Sequence, residues 1–86
     1  MENVILNQQC VQMVIDWDPL GYGPESYDTE AADVVAALQG TTDVAKLAKT
    51  IQQIFEFSYE ETIPYEACAT MAQQLITNKL AASCDL

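Results

Sequence analysis

The segment from Asp16 to Pro24 most constrains what this chain can fold into. Its nine residues, Asp-Trp-Asp-Pro-Leu-Gly-Tyr-Gly-Pro, include the only Trp of the chain, two of its three prolines and two of its three glycines. Proline restricts φ and lacks an N–H, whereas glycine permits positive φ, so the segment predicts a stiff, shaped turn between helices. Trp17, Pro19 and Gly21 are the expected structural anchors of this turn, with the Trp17 ring folded back onto the core.

Apolar residues recur at steps of three and four on both sides of the turn, which is the spacing of amphipathic helices. The spacing predicts four helices, at about 2–16, 28–38, 44–57 and 64–82. No stretch alternates apolar and polar residues as a half-buried strand does. The chain is therefore predicted to be all-α, a compact bundle of about four helices forming a single domain over residues 1–86.

Capping residues mark several helix ends. Asp28 or Ser26 is the expected N-cap of the second helix, and Gly40 is its expected end. Asp43 completes a Thr-Thr-Asp run that is typical of an N-cap, so it is expected to begin the third helix. Lys79 lies near the C-terminal end of the fourth helix and is expected to stabilise that helix, because a cation at this end interacts favourably with the helix dipole.

The charge of the chain is strongly negative and unevenly distributed. The net charge is −10, and residues 1–45 hold eight acidic and no basic residues, whereas residues 46–86 hold five acidic residues and three lysines. Such a surface repels nucleic-acid phosphates and anionic lipid, and it attracts a basic protein. We therefore expect neither a nucleic acid nor a membrane as partner. The plainer explanation, that the charge serves solubility, stays open.

The cysteines indicate a reduced, cytoplasmic protein. The chain has three cysteines, Cys10, Cys68 and Cys84, which is an odd number, and none of them form a Cys-x-x-Cys motif. It also has no His, so neither a disulfide framework nor a zinc site is expected. No secretion signal and no run of 18 apolar residues is present. Cys10 and Cys68 fall on apolar helix faces and are expected to be inert, which leaves Cys84 as the reactive thiol.

The residue inventory argues against catalysis. The chain has no His, no Arg and no Gly-rich phosphate loop, so most enzyme templates lack a required part, and we expect no enzyme activity and no cofactor. An alternative is a divalent-cation-binding regulatory domain, because four carboxylates lie within thirteen residues: Asp16, Asp18, Glu25 and Asp28. Their spacing is not that of an EF-hand, and we assign no metal site.

Protein recognition is the function that the pattern favours. Tyrosines among carboxylates combine contact area with orientation and on-rate, so the acidic face at 16–33 is expected to dock a basic protein. The expected partner-binding residues are Asp18, Tyr22, Glu25, Tyr27, Asp28 and Glu30. Two alternatives stay open. The two tyrosines pack against Trp17 and Phe57 and close one end of the bundle, or the chain is a structural homo-oligomer.

Several segments resemble a known family. They are Asp-Trp-Asp-Pro-Leu-Gly-Tyr-Gly at 16–23, Tyr-Asp-Thr-Glu at 27–30, the stretch at 51–64 and Ala-Ser-Cys at 82–84. Together they resemble the YugE-like family of small proteins from Bacillus and related bacteria, over most of the chain from about residue 13. The resemblance implies an all-α cytosolic domain of unknown function, and it supplies no catalytic residue.

The Trp-Asp-Pro turn with its Tyr-rich acidic segment also looks like small bacterial proteins associated with toxin-immunity loci. That similarity implies an acidic inhibitor of a basic nuclease toxin. It is an analogy of class, since neither fold nor charge establishes function.

Overall fold

Four α-helices and one short 3₁₀ helix make up the fold. The computed structural model describes residues 4–84, with side chains described for residues 8–23 and 25–81. The helices are α1 (Val4–Trp17), the 3₁₀ helix (Pro24–Tyr27), α2 (Asp28–Gln39), α3 (Val44–Tyr59) and α4 (Tyr65–Cys84). No strand occurs within residues 4–84, so the prediction of an all-α bundle is confirmed. None of these helices is long and apolar enough to cross a membrane.

The predicted helix boundaries agree to within a few residues. α1 and α3 each extend to the last aromatic residue of their segment, Trp17 and Tyr59, and α4 begins directly after Pro64. The carbonyl oxygen of Pro64 accepts hydrogen bonds from the amides of Ala67 and Cys68, at 3.1 and 3.2 Å. Proline suits this place because it presets φ and its missing N–H is not needed. The predicted start at residue 2 lies outside the described residues.

The ends of α2 and α3 only partly follow the predicted caps. Asp43 caps α3 as expected, since its Oδ1 accepts a hydrogen bond of 3.2 Å from the Lys46 amide. Gly40 ends α2, and its amide donates to the Ala37 carbonyl at 3.1 Å. The predicted N-cap of α2 is wrong, because Asp28 is already the first helical residue and no side chain caps the helix. The 3₁₀ helix runs directly into α2, which leaves no extended residue to serve as a cap.

Lys79 stabilises a different helix from the one predicted. Its ammonium donates to three backbone carbonyl oxygens at the end of α2 and in the following link: Leu38 at 2.7 Å, Gln39 at 3.3 Å and Thr41 at 3.2 Å. The last carbonyl oxygens of a helix lack donors within that helix, and the C-terminal end of a helix attracts positive charge. The side chain therefore joins α4 to the end of α2.

The core lies between the four helices, with α3 packed extensively on α4 and α1 on α2. Each helix contributes its apolar stripe, as the spacing predicted. The largest fully buried side chains include Tyr27, Phe55, Leu38, Leu47, Ile51 and Leu75. Tyr27 belongs to this core although it comes from the acidic segment, and its position decides the shape of the loop before it.

Candidate functional site

The Asp16–Pro24 turn wraps around the hydroxyl of Tyr27. This hydroxyl donates a hydrogen bond of 2.6 Å to Oδ1 of Asp18, and it accepts hydrogen bonds from the amides of Leu20 (3.3 Å) and Tyr22 (3.2 Å). The Tyr27 side chain itself is fully buried. A core residue therefore satisfies three polar groups of the turn at once.

Three residues of the turn have positive φ, which few residues adopt easily. They are Asp18 at 44°, Gly21 at 76° and Gly23 at 98°. Glycine adopts these angles without strain, and Asp is among the few other residues that tolerate the left-handed region. The Asp18 carboxylate also accepts a hydrogen bond of 3.2 Å from the Gly23 amide, so it closes the turn on both sides.

A cluster of aromatic rings supports the turn from the side of the core. The Trp17 ring packs edge-on against Phe55 at 5.9 Å between centroids, which confirms that it folds back onto the core, although it stays partly exposed. The Tyr27 ring lies 5.8 Å from Phe55 and 5.9 Å from Tyr59. The alternative that placed the tyrosines against Phe57 is wrong in that detail, because Phe57 is 91% exposed and Phe55 is the buried ring.

Tyr59, the last residue of α3, fixes the start of α2. Its hydroxyl forms hydrogen bonds with the Ser26 carbonyl oxygen and with Oε1 of Glu30, the latter at 3.0 Å. Glu30 is buried. A buried carboxylate needs hydrogen-bond donors, so this contact explains why an acidic residue is tolerated there.

The accessible surface of the turn is centred on Tyr22. This side chain is 48% exposed, its ring lies 5.4 Å from the Tyr59 ring, and its hydroxyl donates to Oε2 of Glu61. Glu25 and Asp28 are exposed beside it in the chain, and Asp18 is half-buried. Sequence reasoning missed Glu61, because it lies 39 residues from Tyr22 and no spacing rule connects residues so distant.

The structure separates the predicted binding residues into two groups. Tyr22, Glu25 and Asp28 are accessible, and Asp18 is partly so. Tyr27 and Glu30 are buried and cannot contact a partner in this conformation, so their assignment to the surface is corrected. Both point inward because the apolar face of α2 continues through them.

The hydrogen bonds set the protonation of this site. The Tyr27 hydroxyl, together with the amides around the carboxylate, lowers the pKa of Asp18. The hydrogen bond to Glu61 raises the pKa of Tyr22, and burial followed by the bond to Glu30 raises the pKa of Tyr59 to about 12. Burial also raises the pKa of Tyr27. At neutral pH the site therefore holds an ionised Asp18 and protonated phenols.

The carboxylates do not assemble into a metal site. Among the described side chains, those of residues 8–23 and 25–81, no three from His, Cys, Asp or Glu come together as ligands, and this includes the four candidate carboxylates. Asp16 instead accepts a hydrogen bond of 2.8 Å from Gln12, one turn earlier in α1. The geometry therefore gives no support to the cation-binding alternative.

Cys10 and Cys68 are both fully buried and unpaired. Burial raises the pKa of both thiols, that of Cys68 to about 11. Since the thiolate is the reactive form, these two cysteines are poor nucleophiles, in agreement with their positions on apolar faces. The side chain of Cys84 lies outside the described residues.

Comparison with known proteins gives consistent matches over nearly the whole chain. Residues 9–85 match the model of a domain of unknown function, DUF1871. The uncharacterised protein YugE of Bacillus subtilis is 44% identical over 84 residues, which cover 98% of both chains. A crystal structure of a Bacillus stearothermophilus protein is 41% identical and superposes with a TM-score of 0.89 over 91% of this chain and 96% of that one.

Proposed function

Because the chain belongs to the DUF1871 family, whose function is unknown, we propose its role from the geometry of the turn. The proposal is a non-enzymatic binding protein that docks a basic protein through one acidic surface. We call this the Tyr22 surface and define it by Asp18, Tyr22, Glu25, Asp28 and Glu61. The role is that of an inhibitor, as for an immunity protein, or of an adaptor.

The observation that carries the proposal is the position of Tyr22. Its ring is half exposed, yet it is held by the Tyr59 ring on one side and by Glu61 at its hydroxyl. An aromatic side chain that is already held in place loses little conformational entropy on binding. Such side chains are frequent among the residues that dominate binding energy at protein interfaces.

The charge around Tyr22 defines the class of partner. Glu25 and Asp28, which are close to Tyr22 in the chain, and its hydrogen-bond partner Glu61 are all exposed, and residues 1–45 contain no basic residue. A surface of one charge sign speeds the encounter with a partner of opposite sign and rejects partners of like sign. The partner should therefore present Lys or Arg around a pocket that accepts a tyrosine ring.

Two chemical properties support a non-enzymatic role. The chain lacks His, so it has no side chain whose unperturbed pKa lies near neutrality. The phenols of the site have raised pKa values, and Asp18 has a lowered one, so neither group exchanges protons readily at pH 7. The surface offers fixed charge and a fixed ring, which suits recognition.

Affinity capture from the lysate of the source cells tests the proposal. The informative variants are Asp28→Lys and Tyr22→Ala, because Asp18 and Glu30 maintain the fold and their reversal would disrupt it. Glu66→Lys is the matched control, since Glu66 is also exposed, lies in the first turn of a helix like Asp28, and gives the same change of charge.

We expect the wild-type protein to retain a basic protein at low salt and release it at high salt. Asp28→Lys and Tyr22→Ala should each weaken binding of the purified partner by about tenfold or more, which corresponds to about 1.4 kcal/mol. Glu66→Lys should bind like the wild type. Equal binding by Asp28→Lys and Glu66→Lys, with helical content intact, would exclude the Tyr22 surface as the docking site.

A further inference from the structure

The outward side of α3 contains the most exposed large apolar side chain among the described residues, Phe57 at 91%. Neighbouring exposed positions recur at helical spacing, which places them on one side of the helix and its C-terminal end. We call this set the α3 stripe, and it consists of Lys46, Lys49, Gln53, Glu56, Phe57 and Glu60.

The two halves of the α3 stripe differ in charge. Lys46 and Lys49 lie in the first half, whereas Glu56, Phe57 and Glu60 lie in the second. These are two of the three lysines of the chain, and the ammonium of the third is bound to the carbonyl oxygens at the end of α2. The basic side chains that α3 exposes are thus concentrated at one end of a stripe whose other end is acidic and apolar.

We propose that the α3 stripe is a dimer interface, on which a second copy of this chain packs antiparallel about a two-fold axis near Gln53. A two-fold axis brings the same surface of both copies together, so the lysine half of each faces the glutamate half of the other. Lysine ammonium groups then lie over the Phe57 ring of the other copy. The Gln53 amide is both donor and acceptor, so it can pair with its own symmetry mate.

The charge pattern favours a second copy over other occupants. A uniformly basic partner meets like charge at Lys46 and Lys49, and a uniformly acidic partner meets it at Glu56 and Glu60. A second copy in antiparallel orientation complements both halves. The contact is one helix against one helix and two chains of net charge −10 repel each other, so the dimer is weak and depends on concentration.

Sedimentation equilibrium over a concentration series at about 0.15 M salt tests the proposal. The wild-type protein should approach twice its 9.5 kDa mass as concentration rises. Phe57→Ser should weaken the dimer by about tenfold or more, because central aromatic anchors carry much of the binding energy. Leu80→Ser is the matched control, since Leu80 is a 46% exposed apolar residue on α4, and the dimer should persist in it.

Two further variants test the charge pattern itself. Lys46→Glu/Lys49→Glu makes the stripe wholly acidic, and Glu56→Lys/Glu60→Lys makes it wholly basic. Each should be monomeric alone, and their equimolar mixture should dimerise again. Circular dichroism checks that each variant keeps its helices.

The proposal is overturned if the wild-type protein stays monomeric to about millimolar concentration, at the weak end of protein association. It is also overturned if Phe57→Ser dimerises like Leu80→Ser, or if the two folded charge variants do not associate on mixing.

Discussion

The hydroxyl of Tyr27 lies 2.6 Å from Oδ1 of Asp18, and this hydrogen bond joins the core to the turn at 16–24. The same hydroxyl accepts hydrogen bonds from two backbone amides of the turn. One buried oxygen therefore organises a loop whose most evident feature in the sequence is its acidic residues. The exposed part of the loop depends on this buried contact. Tests of binding must therefore distinguish loss of the surface from loss of its support.

Tyr27→Phe should destabilise the protein although it removes a single oxygen. Asp18 loses a donor, and the amides of Leu20 and Tyr22 lose their acceptor. We expect the free energy of unfolding to fall by about 1–3 kcal/mol, the usual range when buried polar groups lose a partner. Urea denaturation measures it, with Tyr65→Phe as the control because Tyr65 is 44% exposed. An equal effect of both substitutions would mean that the Tyr27 hydroxyl does not support the turn.

The contribution of Asp18 to stability should depend on acidic pH. Its pKa is lower in the folded protein, first because of the Tyr27 hydroxyl, so its contribution is complete above the unfolded value of about 3.9. It is lost as pH falls through the folded pKa. Asp18→Asn should therefore destabilise the protein at pH 7 and show a shallower loss of stability below pH 4. Parallel pH profiles for Asp18→Asn and wild type would contradict this assignment.

At alkaline pH Tyr59 should contribute to the loss of stability. Burial and the bond to Glu30 raise its pKa to about 12, so its stabilising contribution is complete below the unfolded value of about 10 and is lost as pH rises toward 12. Tyr59→Phe should reduce the steepness of that loss without abolishing it, because the pKa values of Tyr22 and Tyr27 and of the thiols of Cys10 and Cys68 are raised as well. Thermal denaturation between pH 9 and 12 gives the comparison, and an unchanged slope in Tyr59→Phe would exclude the role.

Phe55 and Phe57 should respond oppositely to the same substitution. Phe55 is fully buried among the rings of Trp17, Tyr27 and Tyr59, so Phe55→Ala should cost about 3–5 kcal/mol. Phe57→Ala, measured where the protein is monomeric, should change stability by less than about 0.5 kcal/mol. Similar costs for the two variants would place Phe57 inside the fold.

Lys79→Met should destabilise the end of α2. The substitution keeps most of the aliphatic chain but removes the ammonium that binds the Leu38, Gln39 and Thr41 carbonyl oxygens. We expect a cost of about 1–2 kcal/mol, the upper range for a partly buried cation at a helix C-terminus. Hydrogen exchange should show faster opening of the last turn of α2. Lys49→Met serves as the exposed control, and equal exchange in both variants would refute the capping role.

The sequence predicts the helices well where local rules decide. The α3 segment keeps an apolar step from Leu47 through Ile51 to Phe55, and Asp43 caps it as its position suggests. Local spacing and capping involve residues a few positions apart, which is the range over which a sequence pattern is informative.

The burial of Tyr27 could have been predicted from the helical spacing of apolar residues at the start of α2. Tyr27, Ala31, Val34 and Leu38 share the helical step, so extending the apolar face of α2 backward by one turn would have placed Tyr27 inside. Glu30 lies on the same side, four residues before Val34. The acidic composition of the segment suggested a surface, whereas its periodicity indicated burial, and periodicity proved decisive.

No comparable sequence pattern indicates the contacts of Tyr22, Tyr59 and Lys79. Tyr22 meets Glu61 across 39 residues, Tyr59 meets Glu30 across 29, and Lys79 meets Leu38 across 41. Such pairs depend on how the helices pack, which the spacing within each helix does not determine. They supply the support of the Tyr22 surface and the junction between α4 and α2.

The binding of the Lys79 ammonium to backbone carbonyl oxygens has a practical consequence for attaching this protein to a sensor chip. The ammonium of Lys79 is engaged in hydrogen bonds, whereas the side chains of Lys46 and Lys49, both on α3, are exposed. Reagents that couple to lysine amines should therefore react at Lys46 and Lys49. Coupling through lysine side chains therefore anchors the molecule by the outer side of α3. The turn around Tyr22 then remains accessible to a soluble partner, while the side of α3 proposed for dimerisation is blocked.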